Sequence, residues 1–403
     1  MTVSTALDIP EPPPAAARVD LGTVVFAVPD YEPSTGGTTT QVRLLARELA
    51  ARGHDVRVVT RRRQRSWPRA EVLESVRVDR VGPPGRGSAA DKAAALALLR
   101  WLAARRRRVR ILQTVMWTDA VPAAAAALLL PRTIVGWGAR GDAADALRGG
   151  SSPIRRAQAR LRRRLLSRCE HVVLTPKMRD ELFELGLARC TILPVLLDRD
   201  RFRPPTEAER AAARSRLDLA DDDYVIAYVG HLRALKRIDV LIDALAGLAA
   251  EGIAARLIVA GASRRADDDV EADLRARVRA LRLEERVTFT GAVADPRAVL
   301  WAADAFALSS EREGLPNSLL EAMACGLPCV APASAAGDEL LVDGAGLVPA
   351  DGDAAALEDA LRTLALDPAL RERIGRRAVE TAAEYDVTRV VDGYERLYAR
   401  VVS

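Results

Sequence analysis

The sequence predicts an α/β protein made of two doubly wound, Rossmann-like parallel-sheet domains facing a cleft. Three observations predict it. At 403 residues the chain has room for two domains of roughly 150 residues each. Short apolar runs alternate with stretches of helical periodicity in both halves, the pattern of open parallel sheets covered on both faces. A Pro-containing stretch, Asp198 to Pro205, separates the halves as an inter-domain linker does. With 49% hydrophobic and 29% charged residues, the composition excludes a mostly disordered chain.

The first half opens with an apolar run, Val24 to Val28, and a turn-rich loop, Pro29 to Gly37. Thr38 to Thr40 offer N-cap hydroxyls. Val42, Leu45, Ala46 and Leu49 recur at helical spacing, and Gly53 ends the helix. Val56 to Val59 follows as a second strand, completing a βαβ unit. Weaker strands are expected at Ile111–Leu112, Thr133–Val135 and Val172–Leu174, with a helix over Ala93 to Ala104. The second half alternates more clearly. Strands are expected at Val225–Val229, Leu257–Ala260, Val287–Phe289, Ala305–Leu308 and Cys329–Ala331. Helices are expected over Ile238–Ala250, Asp269–Leu281, Ala298–Ala302, Asn317–Ala324, Ala354–Leu366, Ala369–Glu384 and Thr388–Val401.

Several classes are disfavoured. No apolar run reaches the ~18–20 residues needed to span a bilayer; Val121 to Leu130 is about half that and mostly alanine. Met1 to Asp20 is rich in Pro and Ala and reads as a flexible tail, not a secretion signal. Four cysteines make no disulfide framework, and none of the three histidines (His54, His171, His231) stands near a cysteine pair at zinc spacing, so no metal site is expected. Cys325 and Cys329 read as small buried residues at a helix-to-strand turn. A reduced, cytoplasmic protein is the expectation.

Charge is unevenly distributed. Residues 1–205 hold 36 Lys+Arg against 20 Asp+Glu, a net of +16, while residues 206–403 hold 24 against 35, a net of −11. The excess suggests that the first half meets something anionic. Its clusters are Arg61–Arg63 with Arg65, Arg105–Arg108 with Arg110, and Arg155, Arg156, Arg160, Arg162–Arg164 and Arg168. The last set has helical spacing with Leu161, Leu165 and Leu166 between. It fits peripheral contact with an anionic membrane, and it fits a solvated helix face equally well. Nucleic acid is not expected, because no recognition motif is present and aromatics do not interleave the arginines.

Three loops carry the candidate chemistry. Gly36 and Gly37 precede a helix, where backbone N–H groups suit a phosphate or a sugar hydroxyl; a plain turn is the competing reading. Gly230 ends a strand, and Arg233 and Lys236 follow just ahead of the next helix. Two cations so placed hold a diphosphate and stabilise the charge growing on a departing nucleotide. The third segment runs Glu313-Gly314-Leu315-Pro316-Asn317 into a helix carrying Glu321. Two carboxylates in this arrangement accept hydrogen bonds from vicinal diols of sugar and ribose. A solvated helix position is the alternative for Glu321, opposed by its apolar neighbours Leu319, Leu320, Ala322 and Met323.

The stretch from Glu313 to Pro328, with Glu313 and Glu321 as an E-x7-E pair, closely resembles the signature of retaining family 4 nucleotide-sugar glycosyltransferases of the GT-B fold. Gly36-Gly37, the Gly230…Arg233…Lys236 loop, the Asp198–Pro204 segment, Leu347-Val348-Pro349 and Asp367-Pro368 also match. The resemblance implies that Glu313 holds donor-sugar hydroxyls, that Glu321 holds the ribose and that Arg233 and Lys236 bind the diphosphate. Gly37 would approach phosphate or sugar, and the backbone of Leu315 to Asn317 would complete the pocket. It implies Glu313, Arg233 and Lys236 as the catalytic set, a UDP- or GDP-sugar as donor, no tightly bound cofactor and no metal. Front-face displacement with retention is the implied mechanism. The implied division is a tail (1–20), an acceptor-side domain (21–203), a nucleotide-sugar domain (204–385) and a last helix (386–403) crossing back to the first domain. The implied acceptor is a glycan, a lipid-linked saccharide or a small molecule.

Two positions depart from the pattern. Trp137 and Gln113 stand where many members carry first-domain histidines, so no first-domain His is given a catalytic role. Arg140 or Asp142 is read as a ligand contact or as half of a structural salt bridge. A GT-B epimerase, a phosphorylase and a catalytically silent nucleotide-sugar scaffold are the competing functions.

Overall fold

The computed structural model describes residues 20–34, 36–85, 87–115, 126–130, 132–138, 141, 147–148, 152–263 and 270–403. The expected tail (1–20, all but its last residue), Arg140 and Asp142 lie outside them. The chain divides into two compact units. One is formed by the described part of Asp8–Leu196 with Val387–Ser403, the other by Leu197–Asp386.

In the first unit, eight strands form one sheet: β1 (Thr23–Ala27), β2 (Asp55–Arg61), β3 (Ala70–Leu73), β4 (Val76–Val81), β5 (Val109–Val115), β6 (Thr133–Gly136), β7 (Glu170–Val173) and β8 (Cys190–Ile192), in the order β3-β4-β2-β1-β5-β6-β7-β8. All pairs are parallel except β3 with β4, an antiparallel hairpin on the sheet edge. The central β1, TVVFA, is apolar throughout because helices cover both its faces. Helix α1 (Gly37–Ala51) buries Val42, Leu45, Ala46 and Leu49 against it. Its N-cap is Gly36 at φ 150°, a backbone state that glycine adopts readily. Thr38 to Thr40 therefore lie inside the first turn and do not cap it; Thr39 Oγ1 instead reaches the Asp30 carbonyl at 3.4 Å. Helices α2 (Ser88–Arg105), α3 (Pro153–Leu166) and α4 (Pro176–Glu184) follow.

The second unit is a six-stranded, all-parallel sheet: β9 (Tyr224–Val229), β10 (Ala255–Ala260), β11 (Val287–Gly291), β12 (Ala305–Ala307), β13 (Cys329–Val330) and β14 (Gly346–Leu347), in the order β11-β10-β9-β12-β13-β14. Its helices are α5 (Glu207–Arg216), α6 (Ile238–Ala250), α7 (Glu271–Ala280), α8 (Arg297–Ala302), α9 (Asn317–Ala324), α10 (Ala354–Leu366) and α11 (Pro368–Ala383). The segment Asp198–Pro205 is fastened within this unit. Phe202 is buried, Arg203 pairs with Glu209 at 2.8 Å, and Leu197 bridges Asp386.

The last helix, α12 (Val387–Val402), packs into the first unit's core through Val390, Val391, Tyr394, Leu397 and Tyr398. Arg52 holds it by Asp392 at 2.5 Å and Glu395 at 2.7 Å, and Tyr398 Oη donates to Gln113 Oε1 at 2.6 Å.

Candidate functional site

A doubly wound sheet binds ligands at the carboxyl ends of its strands, where the strand order reverses. In the second unit the chain moves outward from β9 to β10 and β11, then restarts on the other side of β9 with β12. The loops after β9 and β12 therefore leave the sheet side by side. They contain Gly230, Arg233, Lys236 and Glu313.

The two loops are stitched together. Ser309 Oγ reaches the carbonyls of Lys236 at 3.1 Å and Arg237 at 2.7 Å. Glu311 N–H donates to the Leu235 carbonyl at 2.9 Å. Arg237 takes a left-handed backbone state at φ 47° and pairs with both Asp239 and Glu311. Glu313 N–H donates to Ser334 O at 3.0 Å, and Ser334 Oγ donates to Ser310 O at 2.7 Å. None of these clamps is legible from motif spacing, since a serine on a loop carries no sign of its partner.

The clamps bring Lys236 Nζ onto Glu313 Oε1, with the two side chains only 19% and 13% exposed. The pair balances its own charge in the ligand-free protein and leaves an ammonium and a carboxylate poised at one point. Arg233 stands exposed at the start of the 3-10 turn Ala234–Lys236. Gly230 N–H donates to Ala260 O at 3.0 Å. The Gly230 carbonyl passes so close to Gly261 that a Cβ there would lie 1.8 Å from it. Tyr228 is buried below the loop and donates to the His231 carbonyl at 3.2 Å. Burial, aided by the Glu313 charge, pushes its phenol far above the usual range.

Gly314, Leu315 and Pro316 turn inward and are buried, and Asn317 opens α9. Pro316 occupies the N-cap, where a residue without an N–H is tolerated. One turn in, Glu321 is partly buried. Desolvation raises its carboxyl to about 7, with Arg201 opposing the rise and Asp295 adding to it. Gly36 and Gly37 belong to the first unit, after β1 and at the start of α1. Among the described residues no group of three or more His, Cys, Asp and Glu side chains could hold a metal ion.

In the first unit, the positions of the two departures serve as tethers. Trp137 Nε1 donates to Nδ1 of the buried His171 at 3.1 Å, and Gln113 anchors α12. The Arg61–Arg63 cluster, read from sequence as a surface for an anion, is largely spent internally: Arg61 pairs with Asp91, Arg62 with the carbonyls of Arg65 and Trp67, and Arg63 with Asp30. A concavity of about 620 Å³ does open in this unit, but at the amino ends of β1 and β2, beside Thr23, His54 and Asp55. That is the opposite end of the strands from the one at which such sheets bind ligands.

Comparison with known proteins defines the class. Residues 209–381 match the family model of glycosyl transferases group 1, and residues 36–195 that of the glycosyl transferase 4-like domain. The mannosylfructose-phosphate synthase of Agrobacterium fabrum is 30% identical over 325 residues, covering 73% of this chain and 71% of that one. The chain spans about half the length of several other curated relatives it matches. Sucrose-phosphate synthase from Thermosynechococcus elongatus superposes with a TM-score of 0.79 at 21% identity, covering 94% of this chain and 98% of that one. Anabaena HepE, solved with UDP and glucose, gives 0.76 at 20% identity, covering 93% and 99%. The chain belongs to the group 1, family 4-like glycosyltransferases and has their GT-B fold of two parallel-sheet α/β domains.

Proposed function

We propose that this chain is a retaining hexosyl- or N-acetylhexosaminyltransferase using a UDP- or GDP-sugar, with a glycan, lipid-linked or small-molecule acceptor. The observation that carries the reading is the Lys236–Glu313 pair, held where the loops after β9 and β12 emerge together. Arriving diphosphate draws the Lys236 ammonium into a shared contact and receives Arg233 as a forked partner. Glu313, thereby released, accepts hydroxyls of the transferred sugar, and Glu321 accepts those of the ribose. As the glycosidic bond breaks, charge builds on the leaving phosphate, where Arg233, Lys236 and the amide end of α9 stabilise it. The leaving phosphate takes the acceptor's proton on the same face, which gives retention. Two cations and a helix end make this a metal-independent scheme. Gly36 and Gly37 supply backbone contacts to phosphate or sugar. The first unit is assigned the acceptor, and the second the nucleotide sugar. The UDP bound in HepE supports a nucleotide donor.

The test is acceptor-dependent release of nucleoside diphosphate from UDP- and GDP-sugars, with and without EDTA. Lys236→Ala is expected to lower kcat by about 10²–10³-fold, the usual cost of removing one charge-stabilising donor. Release that needs no acceptor, or binding of nucleotide sugar without turnover for any acceptor, would overturn the transferase reading.

Peripheral membrane contact is part of the proposal. On α3, Ile154 is 71% and Leu161 59% exposed among arginines, with no acidic residue from 153 to 168. Vesicles of phosphatidylglycerol are expected to sediment the protein, and phosphatidylcholine vesicles are not. Substituting Arg162–Arg164 by Ser should abolish the difference. Among the described residues no helix is long and apolar enough to cross a membrane.

A further inference from the structure

We infer that Arg201 and Asp295 are positioning residues for Glu321, acting as an opposed pair of charges that sets how the carboxylate meets the nucleotide's ribose. The inference rests on the donor-site reading above and assigns a role to residues outside its contact set.

Three segments of the second unit meet here. Asp198 begins a tight turn: its Oδ1 accepts the Arg201 N–H at 3.1 Å and its carbonyl accepts the Phe202 N–H at 2.9 Å. Phe202 is buried, and the Arg201 guanidinium lies 5.3 Å from the centre of its ring. From there Arg201 reaches Asp295, with Nη2 3.3 Å from Oδ1. Asp295 is fixed in turn. It follows β11, its Oδ1 accepts the Arg297 N–H at 3.1 Å at the start of α8, and its carboxylate takes the Arg297 side chain at 2.5 Å. Asp295 therefore shares its charge between two arginines.

Glu321 projects from α9 toward this pair. The charged groups acting on it are Arg201 from the segment before α5 and Asp295 from the loop before α8. One turn on along its own helix lies the Cys325 thiol, which burial pushes up to about 12 and so keeps neutral. Burial works against the ionised carboxylate, Arg201 works for it, and Asp295 works against it both directly and by engaging Arg201. The ionised form accepts two hydroxyl donors at once with charge-assisted bonds, whereas a protonated carboxyl must use one oxygen as a donor. The Arg201–Asp295 pair therefore sets the fraction of Glu321 ready to receive a diol near neutral pH.

The consequence is a pair of opposite effects that a purely structural role would not produce. Binding of UDP and GDP, the probes here, is measured by calorimetry from pH 6 to 9. Arg201→Met removes the supporting cation. It should weaken binding about fivefold at pH 7, with recovery by pH 9, as for a one-unit rise in the carboxyl's midpoint. Arg201→Lys should restore most of the loss. Asp295→Asn keeps the cap oxygen but removes the opposing charge. It should tighten binding about twofold at pH 7 and move the pH profile to lower pH. Glu321→Gln should erase the pH dependence and the effect of both substitutions.

If wild type binds neither UDP nor GDP, or if Glu321→Gln binds them as tightly as wild type at every pH, the donor-site reading fails and the inference falls with it. If Glu321→Gln weakens binding while the Arg201 and Asp295 variants leave the pH profile in place, or move it the same way, only the inference fails. Circular dichroism on each variant separates a folding defect from either result. Should Arg201→Met misfold, the Arg201→Lys and Asp295→Asn profiles alone decide.

Discussion

A protonated His171 would have no acceptor for its second ring hydrogen. Nδ1 already accepts from Trp137 Nε1, and Nε2 lies 3.0 Å from the Leu166 carbonyl, to which it donates. The ring is fully buried, and desolvation lowers its pKa from the usual 6.5 to about 4. The folded state therefore binds fewer protons than the unfolded state between these values. The stability contribution is complete above about pH 6.5 and is lost as pH falls toward 4, a total of roughly 3 kcal/mol. Urea denaturation at pH 7.5 and 4.5 checks this against His171→Gln, whose pH dependence should be flatter by about 2–3 kcal/mol. Equal slopes would mean that His171 does not titrate with folding. The same residues show how far sequence reading reaches. That Trp137 and Gln113 interrupt the family pattern was visible from their positions. That one locks a buried histidine and the other a C-terminal tyrosine was not, because their partners lie 34 and 285 residues away. Lys236 and Glu313, 77 residues apart, were legible because each sits in its own recognisable loop.

Those loops depend on the strands beneath them. Gly261 follows β10, and its backbone N–H donates to Gly291 O at 2.9 Å. A methyl group there would strike the Gly230 carbonyl, a backbone atom with no rotamer to yield. Gly261→Ala is expected to shift the loop carrying Arg233 and Lys236, to weaken UDP or GDP binding at least tenfold, and to destabilise the protein by about 1–3 kcal/mol. Calorimetry and thermal unfolding read the two effects; unchanged affinity would show that the loop does not lean on β10. At this scale most elements were foreseeable. Ile238–Ala250, Asn317–Ala324 and Ala354–Leu366 coincide with apolar helical periodicity. The β3–β4 hairpin was hidden because β4 carries Asp79 and Arg80 at buried positions and β3 alternates exposed and partly buried residues on the sheet edge. β8 and β14, three and two residues long, are too short to show a period. The Thr38–Thr40 cap failed because the backbone state at Gly36 starts the helix one residue earlier.

Across the whole chain, sequence order and structural membership part at Val387. Helix α12 follows the second unit in sequence, yet its apolar stripe fills the first unit's core beside Leu45, Leu49 and Ile111. Polar ties add to the packing: Arg52 to Asp392 and Glu395, His54 to Glu395 at 2.7 Å, and Arg132 to the carbonyls of Val401 and Val402. The first unit is therefore incomplete without the last residues of the chain. Ending the protein after Asp386 removes Val390, Val391, Tyr394, Leu397 and Tyr398 together and leaves Gln113 buried without its hydroxyl partner. Each large side chain lost from a core costs about 2–5 kcal/mol, so the sum exceeds the stability of an ordinary domain. Hydrogen exchange on the truncated protein should find β1, β2 and β5 unprotected, while β9, β10 and β12 keep the protection they have in the full chain. The second unit retains its own sheet and core, so the damage should stop at the unit boundary. Equal loss in both units would show that the two fold as one cooperative body, and no loss in the first would show that its core closes without α12. Tyr398→Phe supplies the graded version: it keeps the ring, removes the hydroxyl bonded to Gln113, and should lower first-unit stability by about 1–2 kcal/mol without touching exchange in the second.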